Sequence, residues 1–203
     1  MQQKNALLRG AIAPDRDLLL AYNDELVAPG AALIAARGAF VAELADAAAG
    51  VYARWPGTRE AVRIAYAPNV PAADDPAAAL AAALAANVDA EVRRRSTLVG
   101  PHRDDLRWTI DGRPLDAFGS QGQQRTAVLA LKVAEYETMR MRTGDAPILL
   151  LDDVLSELDA ERAGGFLAAV GSFEQAFLTT TELPAGFGEA ARFRIAAATI
   201  APC

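Results

Sequence analysis

The first half of the chain has the spacing of apolar residues that amphipathic helices show. A helix is predicted over residues 18–27, and a second stretch from residue 31 places its apolar side chains largely on one helical stripe. The members of this stripe are Leu33, Ile34, Phe40, Val41, Leu44, Val51 and Tyr52. A Pro-Gly pair at 29–30 predicts a kink or a new helix start, and Trp-Pro-Gly at 55–57 predicts the end of the helical stretch.

Two further patterns complete this half. Apolar residues alternate at Val62, Ile64 and Tyr66, which predicts a short strand. An acidic pair followed by proline at 74–76 predicts the start of another helix, because a carboxylate caps the first turn and proline fits there. Apolar residues then recur every four positions, at Leu80, Leu84 and Val88.

The second half alternates strand and helix patterns. Strands are predicted at 107–110, 148–151, 176–179 and 192–197, and helices at 121–142 and 158–170. Asp111-Gly112 predicts a turn after the first of these strands. The run from Ile148 to Leu151 is aliphatic throughout, which is typical of a parallel strand buried on both faces. The alternation predicts an α/β fold with right-handed crossovers, divided into a helical lobe at 1–95 and an α/β part at 96–203.

Composition narrows the class of protein. Alanine supplies 47 of 203 residues and arginine outnumbers lysine 18 to 2, biases that fit a GC-rich coding sequence. A net charge of −6 excludes a surface that is basic overall, so any contact with nucleic acid has to be a local patch. The single cysteine, Cys203, and the single histidine, His102, exclude a disulfide framework and a multi-histidine metal site within one chain.

No targeting or membrane segment is predicted. The first five residues lack the apolar core of a signal peptide. The longest apolar run, residues 77–86, has eight alanines and is shorter than the roughly 20 residues that span a bilayer. We therefore expect a soluble, cytoplasmic protein.

Two basic features have more than one interpretation. The three arginines at 93–95 end a predicted helix, where cations complement the helix dipole, but such a run also fits a phosphate-binding patch. His102 fits a structural hydrogen bond to a neighbouring loop, with Arg103 and Asp104 in local ion pairs, and it also fits the sensing of nucleotide or DNA.

A pair of acids follows the aliphatic strand. Asp152 and Asp153 come at its carboxyl end, the edge at which open α/β sheets bind ligands. One acid at such a place can hold Mg²⁺, and a second can orient or deprotonate an attacking water. A plain core strand followed by polar loop residues would have the same local sequence.

A second motif opens the helix predicted at 121–142. Gly119-Ser120-Gln121-Gly122-Gln123 places a hydroxyl and a glycine at a helix N-terminus, where backbone N–H groups bind phosphate. An ordinary capped helix start is the alternative interpretation.

Taken together, the two motifs are more specific than either one. The serine-glycine turn precedes the diacid strand by about 30 residues, and Ser156-Glu157-Leu158-Asp159 follows the strand at once. This order resembles the signature loop, Walker B strand and D-loop of ABC-type ATPases. The resemblance implies the C-terminal half of an ABC-type ATPase head, preceded by a helical lobe.

Longer stretches resemble the RecF recombination-mediator family in particular. They are Gly100-Pro101-His102-Arg103-Asp104-Asp105-Leu106, Ser120-Gln121-Gly122-Gln123-Gln124-Arg125, and the segment from Leu150 to Asp159. Residues 3–8 and the helix containing 34–37 also fit this family. The resemblance covers essentially the whole chain but only the C-terminal part of a full RecF.

The resemblance implies a protein of DNA replication, recombination, repair and the SOS response. Its ATP-dependent homodimer would bind gapped, single-stranded or double-stranded DNA and help RecO and RecR to place RecA. Asp152 would hold Mg²⁺ and Asp153 would be the catalytic acid/base group. The turn residues Ser120, Gln121, Gly122 and Gln123 would contact ATP held by a second subunit, and Asp159 would link the two sites.

One required motif is missing from this sequence. A P-loop needs Gly-x-x-x-x-Gly-Lys-Ser/Thr, and the only lysines, Lys4 and Lys132, have no such context. We therefore expect a fragment, a mis-started reading frame or a truncated protein, inactive as an ATPase by itself. A non-enzymatic module that binds DNA or RecR is one alternative. A transporter ATPase subunit is another, although a threonine replaces the histidine that transporters carry after the strand following Walker B.

Overall fold

The computed structural model describes residues 1–10, 14–71, 73–156, 158–182, 190–196 and 199–202. The helices are α1 (Gln2–Arg9), α2 (Arg16–Ala53), α3 (Pro76–Arg94), α4 (Leu115–Phe118), α5 (Gln121–Thr143) and α6 (Ala160–Val170), with a 3₁₀ turn at Pro101–Arg103. The strands are β1 (Val62–Ala67), β2 (Asp105–Ile110), β3 (Arg113–Pro114), β4 (Leu149–Asp152), β5 (Ala176–Thr179), β6 (Phe193–Ala196) and β7 (Thr199–Pro202).

The chain forms two compact units. The first combines Met1–Asp46 with Arg63–Thr109, and the second combines Ala47–Val62 with Ile110–Cys203. The division of the chain at residue 95 stays a prediction.

Helix α3 of the first unit forms as its sequence predicts. The Asp75 side chain accepts hydrogen bonds from the N–H groups of Ala77 and Ala78, at 2.9 and 3.0 Å, and Pro76 is the first helical residue. Such a cap stabilises a helix by about 1 kcal/mol. The predicted apolar face is buried: Leu80 and Leu84 pack with Ile34, Val70 and Val99, and Val88 packs with Leu8 and Leu19.

Helix α2 continues through Pro29, so the predicted new helix start at this position is wrong. Gly30 has a packing role instead, because a Cβ on it would lie 2.6 Å from Cδ2 of Leu80. The glycine therefore lets α2 approach α3 closely, and the packing of Ile34 and Leu19 holds the helix on both sides of the proline.

By length and composition alone, α2 could also cross a membrane, which is true of no other helix in the described part of the chain. One side of this helix packs against α1 and α3 through Leu19 and Ile34.

The strands β1, β2 and β3 form one sheet in that order. The predicted strand at Val62, Ile64 and Tyr66 is confirmed as β1. The turn between β2 and β3 has left-handed backbone at both Asp111 (φ 48°) and Gly112 (φ 77°), the conformation that two-residue hairpins need. The predicted strand and turn are thus confirmed.

In the second unit, β4 and β5 pair in parallel, with Leu149 opposite Ala176 and Asp152 opposite Thr179, and α6 connects them. The predicted burial of both faces of β4 is wrong. Leu151 is buried, whereas Ile148 and Leu150 are 58% and 74% exposed. Alternate residues of a strand face opposite sides, and only the side of Leu151 is covered.

The remaining strands pair with each other. β6 and β7 are antiparallel, with Ile195 opposite Ile200. The predicted last strand, 192–197, is confirmed for β6, while Ala197 lies outside the described residues. β7 was not predicted.

Aromatic packing fixes α6. Trp55 stacks on Phe166 with ring centroids 5.8 Å apart, and the Trp55 indole N–H donates to the Arg162 carbonyl at 3.0 Å. A Cβ on Gly165 would lie 2.4 Å from Cδ of Pro56, so only glycine fits this contact.

Candidate nucleotide site

Ser120 opens α5 with a capping box. Its Oγ accepts a hydrogen bond from the Gln123 N–H at 3.2 Å, and the Gln123 side-chain oxygen accepts from the Ser120 N–H at 2.8 Å. Since the hydroxyl acts as acceptor in this box, its own proton is available for a phosphate oxygen. The turn also presents the positive end of a 23-residue helix. The predicted helix start is confirmed, with Gln121 exposed as its first residue.

A network that the sequence analysis missed holds this turn. The Gln123 side-chain N–H donates to Oε1 of Glu60 at 2.7 Å, and the Tyr52 hydroxyl donates to the same oxygen at 2.9 Å. Burial raises the pKa of Glu60, but hydrogen bonds from the Arg59 N–H, Gln123 and Tyr52 outweigh it and hold the pKa below its usual value. Burial, followed by the bond to Glu60, raises the pKa of Tyr52. An ionised Glu60 and a neutral Tyr52 therefore anchor Gln123.

Arg162 lies between the turn that begins α5 and Asp159, and the sequence alone did not indicate it. A Cβ on Gly122 would lie 3.0 Å from Nη1 of Arg162, so the glycine makes room for this guanidinium. The same Nη1 donates to Oδ2 of Asp159 at 2.5 Å. Nε of Arg162 is buried and has no hydrogen-bond partner among the described residues.

Asp159 caps α6, accepting from the Arg162 N–H at 2.9 Å. This backbone hydrogen bond, followed by the side-chain bond and charge of Arg162, holds the pKa of Asp159 below its usual value despite partial desolvation. The cap explains why α6 begins at Ala160 and not at the predicted Leu158. Glu157, a member of the predicted D-loop motif, lies outside the described residues.

The diacid forms a separate cluster at the carboxyl end of β4. The Thr179 hydroxyl donates to Oδ1 of Asp152 at 2.5 Å. The Asp153 N–H is directed to Oγ1 and the carbonyl oxygen of Thr179, at 3.1 and 3.2 Å. Asp153 has left-handed backbone (φ 49°), which is uncommon for a non-glycine residue. Both carboxylates are exposed. Thr179 therefore orients the Asp152 carboxylate through its hydroxyl and holds the backbone of Asp153.

The diacid fits Mg²⁺ only together with a nucleotide. Within the described ranges, no three His, Cys, Asp or Glu side chains lie close enough to hold a metal ion. Mg²⁺ in nucleotide sites needs only one or two carboxylates, because phosphates and water complete its shell. Asp152 suits that arrangement, in which the ion would neutralise phosphate charge.

Neither lysine is available to a phosphate-binding loop. Lys4 is buried against Glu91, with Nζ 2.6 Å from Oε2. Lys132 lies in the middle of α5, paired with Glu135 at 2.7 Å.

Solved structures define the class of fold. The chain is similar to the structure of the recombination mediator protein RecF with ATP, in the RecFOR pathway, with a TM-score of 0.80 and 28% identity over 100% of this chain and 55% of that one. A second structure, that of RecF-ATPrS in the RecFOR pathway, gives a TM-score of 0.81 and 28% identity, covering 99% of this chain and 55% of that one. The chain has the α/β fold of the C-terminal half of an ABC-type ATPase head, as predicted.

Curated relatives narrow this class to one family. The DNA replication and repair protein RecF of Lactobacillus delbrueckii subsp. bulgaricus is 41% identical over 192 residues, which are 90% of this chain and 50% of the relative. RecF of Chloroflexus aurantiacus is 44% identical over 193 residues, 89% of this chain and 49% of the relative. No family model matches. The chain belongs to the RecF family and corresponds to its C-terminal part, and it spans about half the length of the curated relatives it matches.

Proposed function

We propose that the chain is the signature and Walker B part of a cytoplasmic RecF-type recombination mediator, which binds DNA at single-strand gaps in an ATP-dependent dimer. There it would help RecO and RecR to place RecA on the single strand, in DNA repair, replication and the SOS response. The observation that carries this proposal is the Ser120–Gln123 capping box, built beside the Arg162–Asp159 pair in a chain of RecF sequence.

The signature turn would act on a nucleotide held by a second subunit. The Ser120 hydroxyl proton and the first N–H groups of α5, at Gln121 and Gly122, suit a γ-phosphate. Gln123 is held by Glu60 and so supports the turn in one position. Asp159 would link nucleotide binding at this turn to the other subunit through Arg162, because the Arg162 guanidinium lies against Gly122 and also bonds Asp159.

The diacid would act on the nucleotide of its own subunit. Asp152, held by Thr179, would bind Mg²⁺, and Asp153 would accept the proton of the attacking water. Because no P-loop is present in this sequence, the proposed activity requires one from elsewhere. Similarity to RecF proteins favours this function over that of a transporter subunit. The second candidate is a module that binds DNA or RecR without ATP chemistry. The exposed Asp152, held by Thr179, favours the ATP-dependent mediator over this module.

Sedimentation of the chain mixed with full-length L. delbrueckii RecF tests the proposal. ATP held by the relative's P-loop should recruit the chain through Ser120, giving a faster-sedimenting complex that is absent without ATP. Ser120→Arg should abolish the complex, because it places bulk and charge against the nucleotide. Ser172→Arg is the matched control, since Ser172 is exposed beyond the C-terminus of α6. A Ser120→Arg chain that still associates would refute the signature assignment, and ATP-independent association would favour the non-enzymatic module.

A further inference from the structure

We propose that a concave surface on the first unit, the arginine dish, binds the phosphate groups of a nucleic-acid strand. The dish encloses about 580 Å³ and is lined by Asn87, Ala90, Arg93, Arg94, Leu98 and Arg103. It lies outside the nucleotide site described above. The proposal names a contact surface for the DNA of the proposed function but requires no ATP chemistry.

The wall of the dish is fixed before any ligand arrives. Nε and Nη2 of Arg103 donate to the Thr97 carbonyl, at 3.2 and 2.9 Å. Thr97 is 1% exposed, and its N–H donates to Oδ1 of Asn5 at 3.0 Å. The next residue, Leu98, donates its N–H to the buried Glu91 at 2.8 Å. Holding a guanidinium in place reduces the side-chain entropy that binding would otherwise cost.

The neighbouring acids are engaged elsewhere. Glu91 pairs with Lys4, and Asp89, one helical turn before Arg93, pairs with Arg16 at 2.8 Å. Arg93 and Arg94 are exposed and form no ion pair in the part of the chain that the structure describes. The dish is therefore a local cationic site on a chain of net charge −6.

The dipole of α3 needs less positive charge at its C-terminus than the arginines of the dish supply. The C-terminus of α3 carries a partial charge of about −0.5, against three guanidinium groups in the dish. Near the C-terminus of α3, the carbonyl of Glu91 accepts from the N–H groups of Arg95 and Ser96, and the carbonyl of Val92 accepts from Arg95. A surplus of positive charge therefore remains for a ligand.

A phosphate strand suits the dish better than an acidic protein surface. Guanidinium forks bind phosphate oxygens in a bidentate manner, and adjacent phosphates can meet several arginines at once. Protein interfaces need an apolar core, whereas the apolar lining here is limited to Ala90 and Leu98. Because the lining has no aromatic ring for base stacking, the contact should be independent of base sequence.

Fluorescence anisotropy with a labelled 20-nucleotide single strand tests this inference, using the 203-residue chain without nucleotide over a range of NaCl concentrations. Each phosphate contact on a single strand contributes about 0.7 to the magnitude of the slope of log affinity against log salt. Arg93→Ala/Arg94→Ala removes two such contacts, so the magnitude of the slope should decrease by about 1.4. Arg63→Ala/Arg107→Ala, which removes two exposed arginines outside the dish, should leave the slope unchanged. Arg93→Lys/Arg94→Lys should retain most of the slope, because it keeps the charge.

His102 provides a second readout. It is the only histidine and lies next to Arg103, with Nε2 3.0 Å from the Thr97 hydroxyl. Its imidazole NMR signals should therefore shift on addition of the oligonucleotide, and this shift should disappear in Arg93→Ala/Arg94→Ala.

Three results would overturn the inference: an unchanged slope in the dish variant, an equal loss in the control, or equal competition by polyglutamate, which would indicate an acidic protein. Circular dichroism of each variant confirms folding. If ATP-dependent sedimentation persists while DNA binding fails, only the assignment of the dish is overturned. If DNA binding persists while ATP-dependent sedimentation fails, only the proposed nucleotide role is overturned.

Discussion

Replacing the buried Lys4 by methionine should strongly destabilise the first unit. The Lys4 ammonium lies 2.6 Å from a Glu91 carboxylate oxygen, both side chains are 1% exposed, and Oδ1 of Asn23 accepts a second hydrogen bond at 2.5 Å. Methionine keeps the length of the side chain but removes its charge. Glu91 is then left buried without a counter-charge.

The expected loss is large relative to the stability of a domain. Removing one partner of a buried ion pair costs about 3–5 kcal/mol, against a total stability of about 5–15 kcal/mol. With a urea m-value of about 2 kcal/mol/M, the unfolding midpoint should decrease by about 1.5–2.5 M. The double variant Lys4→Met/Glu91→Gln should recover most of the loss, because glutamine is neutral and still accepts from the Leu98 N–H.

Urea unfolding followed by circular dichroism measures the midpoint, and hydrogen exchange localises the effect. Peptides from α3 should exchange faster in Lys4→Met, while peptides from α6, in the other unit, should not change. A loss below about 1 kcal/mol, or a double variant no more stable than the single one, would refute this account of a buried ion pair whose removal leaves a costly charge.

Further variants test the second unit. The chain by itself should show no ATP turnover; turnover that disappears in Asp153→Asn would contradict this, and the same variant should keep the ATP-dependent association. Gly165→Ala should lower stability by about 1–3 kcal/mol through overpacking, whereas Gly164→Ala, with nothing within 4 Å of its new Cβ, should raise it by up to about 1 kcal/mol; thermal melts compare the two. Because the pKa of Glu60 is lowered in the folded chain, the ionised carboxylate stabilises the fold at any pH above the unfolded-state pKa. This contribution to the free energy of unfolding is lost as the pH falls through the folded-state pKa. Melts between pH 3 and 7 should show a smaller acid loss in Glu60→Gln, and an identical pH profile would argue against this.

Local signals in the sequence were enough to predict the elements that carry the site. The cap and proline of α3 lie next to the helix they start, and the Ser120 turn and the diacid lie at the helix start and strand end expected for them. The catalytic and nucleotide-binding roles of these residues stay predictions.

What the sequence left unpredicted depends on distant partners. In the sequence, Gly30 suggests a helix break. In the structure it makes room for Leu80, which lies 50 positions along the chain. Glu60 meets Gln123 across 63 positions, and Thr179 meets Asp152 across 27. The exposure of Leu150 beside the buried Leu151 has a similar origin, because identical aliphatic residues do not tell which face of a strand is covered.

The position of Arg162 has a thermodynamic consequence for the proposed dimer. One guanidinium both lies against Gly122 and bonds Asp159, so a ligand that moves the turn also changes the environment of that carboxylate. Linkage requires the influence to be equal in both directions. A partner that engages Asp159 would therefore alter the affinity of the turn for nucleotide by the same factor, and each half of the dimer would sense the occupancy of the other.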